Sequence, residues 1–180
     1  MVLVPWCLGG DEMIILGIDP GSQTTGYGVL ESDGRNRKVV ALGCLKARPG
    51  VSLSVRLGVI YAGLQGVLEQ YQPDEVAVEA TFYGKNVHSA LVMGHARGVC
   101  LLAVQQAGCK LFEYSPLEVK QSVAGYGRAD KQQIQRMVMT LLMMSDPPSP
   151  DDVADALAVA ICHLNSYKMK NLAAQADPDG

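Results

Sequence analysis

A basic surplus is the first thing this chain lacks. Its formal charge is −3 at pH 7 and its pI about 5.6, which argues against a generic cationic coat for nucleic acid. A local cationic face stays open, because acids neutralised by bound cations cease to repel a polyanion. Basic residues do gather in loops and helix starts, as Lys85, Arg97, Lys120, Arg128, Lys131 and Arg136. Paired cysteines are lacking too. Cys7, Cys44, Cys100, Cys109 and Cys162 are odd in number and form no C-x-x-C, so neither a disulfide framework nor a zinc site is indicated, and reduced thiols in a cytosolic protein fit best. His88, His95 and His163 stand at no metal-ligand spacing, and core or surface roles suit them. No apolar run reaches the length expected of a membrane span. The first dozen residues lack the basic start of a signal peptide.

What is present is one domain's worth of alternating apolar elements, with 48% apolar residues in 180. Residues 13–19, 25–31 and 37–46 read as strands joined by short turns, hence antiparallel neighbours. From Ser52 to Tyr71, Val55, Val59, Ile60, Leu64, Val67 and Leu68 recur at helical spacing, and Pro73-Asp74 then leads into a strand over 75–79. That helix is a crossover, which returns the chain to the same sheet. A loop over 81–86, a long helix from Val87 to Ala107 and a strand from Cys109 to Tyr114 follow. Ser115-Pro116-Leu117-Glu118 has the form of a capping box opening a short helix that ends near Gly125-Tyr126-Gly127. Helices over 129–144 and 151–167 complete the domain. The expectation is an α/β domain, a mixed five-stranded sheet flanked by helices, with the first and fourth strands adjacent at its centre. Residues 1–12 read as an extension, with Met13 a plausible alternative start, and residues 168–180 as a polar, mobile tail.

Four acids lie at the ends of these elements. Asp19 closes the run Met13–Ile18 and opens the turn Asp19-Pro20-Gly21-Ser22, and Glu79 closes Val76-Ala77-Val78. Asp152 and Asp155 begin a helix that is otherwise almost wholly apolar and therefore buried. Three apart, they share a face. Each acid alone has an ordinary explanation as turn former, helix-dipole partner or solvated strand end. Together they converge above one sheet, and buried acids require partners or a metal. Clustered hard oxygen ligands attract Mg²⁺ or Mn²⁺, and a pair of such ions is suited to phosphodiester hydrolysis.

With these motifs placed, residues 13 to about 165 resemble the RuvC-type crossover-junction endodeoxyribonucleases, the Holliday-junction resolvases of bacterial recombination and repair. The resemblance rests on Gly17-Ile18-Asp19-Pro20-Gly21-Ser22, Thr25-Gly26-Tyr27-Gly28, Val78-Glu79 with Phe82, Lys85-Asn86 and Ser89-Ala90-Leu91. Gly94-His95-Ala96-Arg97-Gly98, Val119-Lys120-Gln121 and Asp152-Val153-Ala154-Asp155-Ala156-Leu157-Ala158 complete it. It implies an RNase H-like fold and paired, symmetric nicking of four-way junctions by a cytoplasmic, Mg²⁺-dependent homodimer. Two ions per active site are implied, with Mn²⁺ able to substitute, and so is action alongside the RuvA–RuvB branch-migration complex. Asp19, Glu79, Asp152 and Asp155 match the family's catalytic, metal-binding acids. Lys120 and Lys131 match its basic positions, and Phe82 the aromatic that engages junction bases. Tyr83, Lys85 and Arg128 are further candidate DNA contacts. The loop Gly125-Tyr126-Gly127-Arg128 departs from the pattern in being bulkier and more basic.

Different classes of protein remain open at this point. Gly-Ile-Asp-Pro-Gly-Ser also resembles the first phosphate loop of actin- and Hsp70-like ATPases, although those need two lobes and this chain supplies one. An integrase- or transposase-like nuclease is a second possibility, and a non-catalytic junction-binding module a third.

Overall fold

The computed structural model describes residues 12–80 and 86–176, with side chains placed as far as Tyr167. The strands β1 (Met13–Asp19), β2 (Thr24–Ser32), β3 (Arg37–Lys46), β4 (Glu75–Glu79) and β5 (Lys110–Tyr114) form one sheet in the order β3-β2-β1-β4-β5. The β1–β2 and β2–β3 pairs are antiparallel, whereas β1–β4 and β4–β5 are parallel. The expected mixed sheet with β1 and β4 adjacent is therefore found.

Alternation along the strands sorts side chains onto two faces. Leu16 and Ile18 of β1, with Val76 and Val78 of β4, pack against α1 (Leu53–Tyr71) and α2 (Val87–Gln106). Ile15 and Ala77 face the other way, toward α5 (Asp151–Ala176), which is itself backed by α3 (Pro116–Ala124) and α4 (Lys131–Leu141). By the same period of two, Asp19 and Glu79 project onto the α5 side. Ile18 stands opposite Val78 in the parallel register, so the next residues, Asp19 and Glu79, end their strands side by side.

The centre of α5 is enclosed on every side, and Ala156 through Leu164 are all buried. Its one strongly polar member there, His163, is satisfied by the Glu75 carboxylate at 2.7 Å and the Tyr114 hydroxyl at 2.8 Å. Those contacts tie α5 to the start of β4 and the end of β5.

Several boundaries differ from the sequence reading. α4 begins at Lys131 rather than 129, because Asp130 caps it in a reciprocal box with Gln133. It ends at Leu141 rather than 144, with Met143 at a positive φ of 51° just beyond. α5 continues to Ala176, past the expected stop at 167, since neither glycine nor proline interrupts residues 168–176. The reading of no membrane-length apolar run needs correction as well. α2 is long and apolar enough to span a bilayer by length and composition, and only 22% of that stretch is buried. It packs Ala96, Cys100, Ala103 and Val104 inward, while Val87, Leu91 and Leu102 are exposed.

Candidate active site

The site forms where the C-terminal ends of β1 and β4 meet the first turns of α5. The turn after Asp19 is held by Thr25, whose hydroxyl donates to the Gly21 carbonyl at 2.8 Å and accepts from the Gly21 amide at 3.3 Å. Glycines let α5 descend onto the strands. A Cβ on Gly17 would stand 2.1 Å from the Ala156 carbonyl oxygen, so any larger residue there would hold the helix off the sheet. Asp152 and Asp155 are thereby brought against the strand-end acids.

Electrostatics show how closely the four carboxylates are gathered. The Asp19 carboxyl, largely enclosed by protein, is pushed up from 3.8 to about 8. Burial is the main cause, followed by the charges of Glu79, Asp155 and Asp152 and by a hydrogen bond shared with Glu79. Burial also raises Glu79, with Asp155 adding to it, while the hydrogen bond from Asp19, Lys120 and Lys131 oppose the rise. Burial and neighbouring negative charge thus favour a proton held between these two acids. Asp155 is raised by burial against the pull of Lys131. The Lys131 ammonium contacts Asp155 at 3.2 Å and Asp151 at 3.3 Å. It is raised because these two carboxylates outweigh the effect of its own burial.

Glu79, Lys120, Lys131 and Asp155 line one cavity of about 230 Å³, floored by Pro116, Val119, Ile134 and Ala158. The two lysines expected from the sequence thus join the acids. Arg128 does not, being exposed on the loop between α3 and α4. Phe82, Tyr83 and Lys85 lie outside the described residues. The sequence motifs did not single out Asp151 or Gln135, whose side-chain amide donates to Asp151 at 2.9 Å. The available signal was spacing, since Lys131 and Gln135 are four apart on α4, as Asp151 and Asp155 are on α5.

Among the described residues no three ligating side chains are already closed to metal-binding distance. The chemistry of the donor set nevertheless fits a hard divalent cation. Burial and the charges of Glu79, Asp155 and Asp152 raise the Asp19 carboxyl to about 8, and a divalent cation would supply the countercharge this set lacks.

Residues 15–163 match the family model described as crossover junction endodeoxyribonuclease RuvC. The chain belongs to the RuvC family. The RuvC protein of Desulforamulus reducens is 55% identical over 151 residues, which cover 84% of this chain and 93% of that one. The structure of T. thermophilus RuvC in complex with Holliday junction substrate superposes with a TM-score of 0.83 at 34% identity, over 88% of this chain and 96% of that chain. The yeast mitochondrial Holliday junction resolvase Ydc2 shares the fold, with a TM-score of 0.60 at 14% identity over 87% of this chain and 82% of its own. RuvC membership makes the protein a nuclease with an RNase H-like sheet.

Proposed function

We propose that the protein resolves four-way DNA junctions in recombination and repair, hydrolysing one phosphodiester in each of two strands with Mg²⁺. Mn²⁺ substitutes for Mg²⁺ in this reading. The observation that carries it is the meeting of Asp19 and Glu79 with Asp152 and Asp155 beside Lys120 and Lys131, in a chain 55% identical to a RuvC protein over 151 residues.

Asp19, Glu79, Asp152 and Asp155 would hold the two cations, and Asp19 feels the charge of each of the other three acids. Such ions, when bound, acidify the attacking water and neutralise charge on the departing 3′ oxygen. The protein's own part is to fix the acids on rigid element ends, so that little reorganisation is needed as charge develops. Burial around Asp19 limits bulk water and strengthens each charge contact. Lys120 and Lys131 offer positive charge to the non-bridging oxygens of the phosphate from the cavity's other wall. The products are 5′-phosphate and 3′-hydroxyl ends, which a ligase can seal.

Pairing of the nicks follows from a homodimer. The outward stripe of α2 supports it: Val87, Leu91 and Leu102 are exposed, and added Cβ atoms on Gly94 and Gly98 would meet nothing. Two-fold symmetry presents two active sites to strands of like polarity. Family membership supports action with the RuvA–RuvB complex in the bacterial cytoplasm.

The test is incubation of purified protein with a mobile four-way junction and Mg²⁺. Symmetric paired nicks are expected, with a linear duplex of the same sequence left intact. An uncut junction, or equal cutting of the linear duplex, overturns the reading, and ATP turnover would favour a phosphate-loop ATPase instead.

A further inference from the structure

Lys131 is held by two acids, only one of which belongs to the four that face one another. Its ammonium lies 3.2 Å from an Asp155 oxygen and 3.3 Å from one oxygen of Asp151. The other Asp151 oxygen accepts from the Gln135 side chain at 2.9 Å. Lys131 and Gln135 occupy successive turns of α4, and Asp151 and Asp155 successive turns of α5, so three contacts run as a chain between the helices, Asp155 to Lys131 to Asp151 to Gln135. Asp155 lines the cavity beside Glu79 and is among the charges that raise Asp19, whereas Asp151 does not line it. The two acids on Lys131 therefore differ. Asp155 looks into the site, and Asp151 is a neighbour outside it, fixed in place by Gln135.

A cation arriving at Asp155 meets an ammonium already paired with one of its oxygens, and the two positive charges repel, so an ammonium with nowhere to go would resist. We infer that Asp151, held by Gln135, is a second seat for the Lys131 ammonium, to which it withdraws when Asp155 takes up a divalent cation. The side chain then stays at the cavity wall with its charge turned toward the phosphate, instead of competing with the metal. Asp151 and Gln135 are thus positioning residues that act through Lys131. This inference rests on the reading of the four acids as a divalent-cation site.

The experiment measures Mn²⁺ binding by the full chain without DNA, by electron paramagnetic resonance or calorimetry. The proteins compared are wild type, Asp151→Asn, Lys131→Met and the double variant. Asparagine keeps the size of the side chain and its acceptor for Gln135, and thermal melting checks that α5 stays docked. Lys131 and Asp151 are 53% and 63% exposed. Losing the seat should therefore weaken Mn²⁺ binding by about five-fold, the worth of one good exposed ion pair. In the Lys131→Met background the same Asp151 change should alter binding by no more than about two-fold, the residue of a screened distant charge. Lys131→Met alone should bind more tightly than wild type. An equal factor in both backgrounds reduces Asp151 to plain charge attraction and overturns the seat, as does a Lys131→Met protein that binds no tighter. Wild-type protein that takes up no Mn²⁺ overturns both the seat and the metal site beneath it.

Discussion

A Cβ on Gly26 would lie 2.0 Å from the carbonyl oxygen of Asp152. The first turn of α5 thus rests on bare backbone of β2, and the position of one acid is set by the absence of a side chain two strands away from Glu79. Gly26→Ala should lift that turn. The expected cost is about 1–3 kcal/mol of stability from overpacking, read as a fall of several degrees in melting temperature. Nicking should fall about a hundred-fold through misplacement of Asp152. Gly58→Ala, where an added Cβ meets nothing, should melt no lower than wild type and keep full activity.

The raised Asp19 carboxyl predicts an inverted pH dependence for the metal-free protein. Its folded value, about 8, lies above the ordinary value of 3.8 that it regains on unfolding. Between those values the folded state binds more protons than the unfolded, so its stability falls as pH rises through that window. Asp19→Asn should therefore melt above wild type in EDTA. The gap should widen from pH 4 to pH 8 and level off beyond. Adding Mn²⁺ should raise wild type at pH 8 and leave the variant nearly unchanged. Parallel melting curves across the whole range would contradict the burial argument.

Glu79→Gln and Asp155→Asn each remove one charge at nearly constant volume. Junction nicking in Mg²⁺ should drop by about three orders of magnitude or more, a loss in keeping with removal of part of the charge-stabilising apparatus. Junction binding, followed by gel shift in Ca²⁺, should persist, because phosphate contacts supply most of the affinity. Near wild-type cleavage by either variant would remove that acid from the assignment.

The α2 stripe gives a prediction about assembly. Space is open around Gly98 in the single chain, so Gly98→Leu should fold normally and melt within a few degrees of wild type. Sedimentation should nevertheless show weaker dimers, and nicks should become single before metal binding is lost. Wild-type protein that sediments as a monomer at micromolar concentration, with or without junction DNA, would sink the two-fold reading.

Much of the site was legible because two periodicities carry it. Alternation in β1 puts Ile15 and Asp19 on one face, and the three-residue spacing of Asp152 and Asp155 puts both on one side of α5. Crossover logic then made β1 and β4 parallel neighbours. Contacts between helices are set by how far each slides along the other, and no local pattern encodes that. So the contact of Lys131 and Gln135 with Asp151 could not be read from the spacing on either helix alone. The capping box of Asp130 and Gln133 was legible but overlooked, because the buried Ala129 before it extends the apolar pattern.

The unbroken burial of α5 from Ala156 to Leu164 has a consequence for how this nuclease can fail. A rod enclosed on all sides, with His163 fastened to two strands, leaves its seat only when the core on its face of the sheet comes apart. Asp152 and Asp155 stand on the first turns just ahead of that enclosed stretch, so the rod anchors them from one side while the contact with Gly26 holds them from the other. The amides of residues 156–164 should exchange with solvent only near the free energy of global unfolding. The cutting centre is thus hinged on a fixed root: its acid-bearing end can shift, but the helix beneath it keeps its place while the domain is folded.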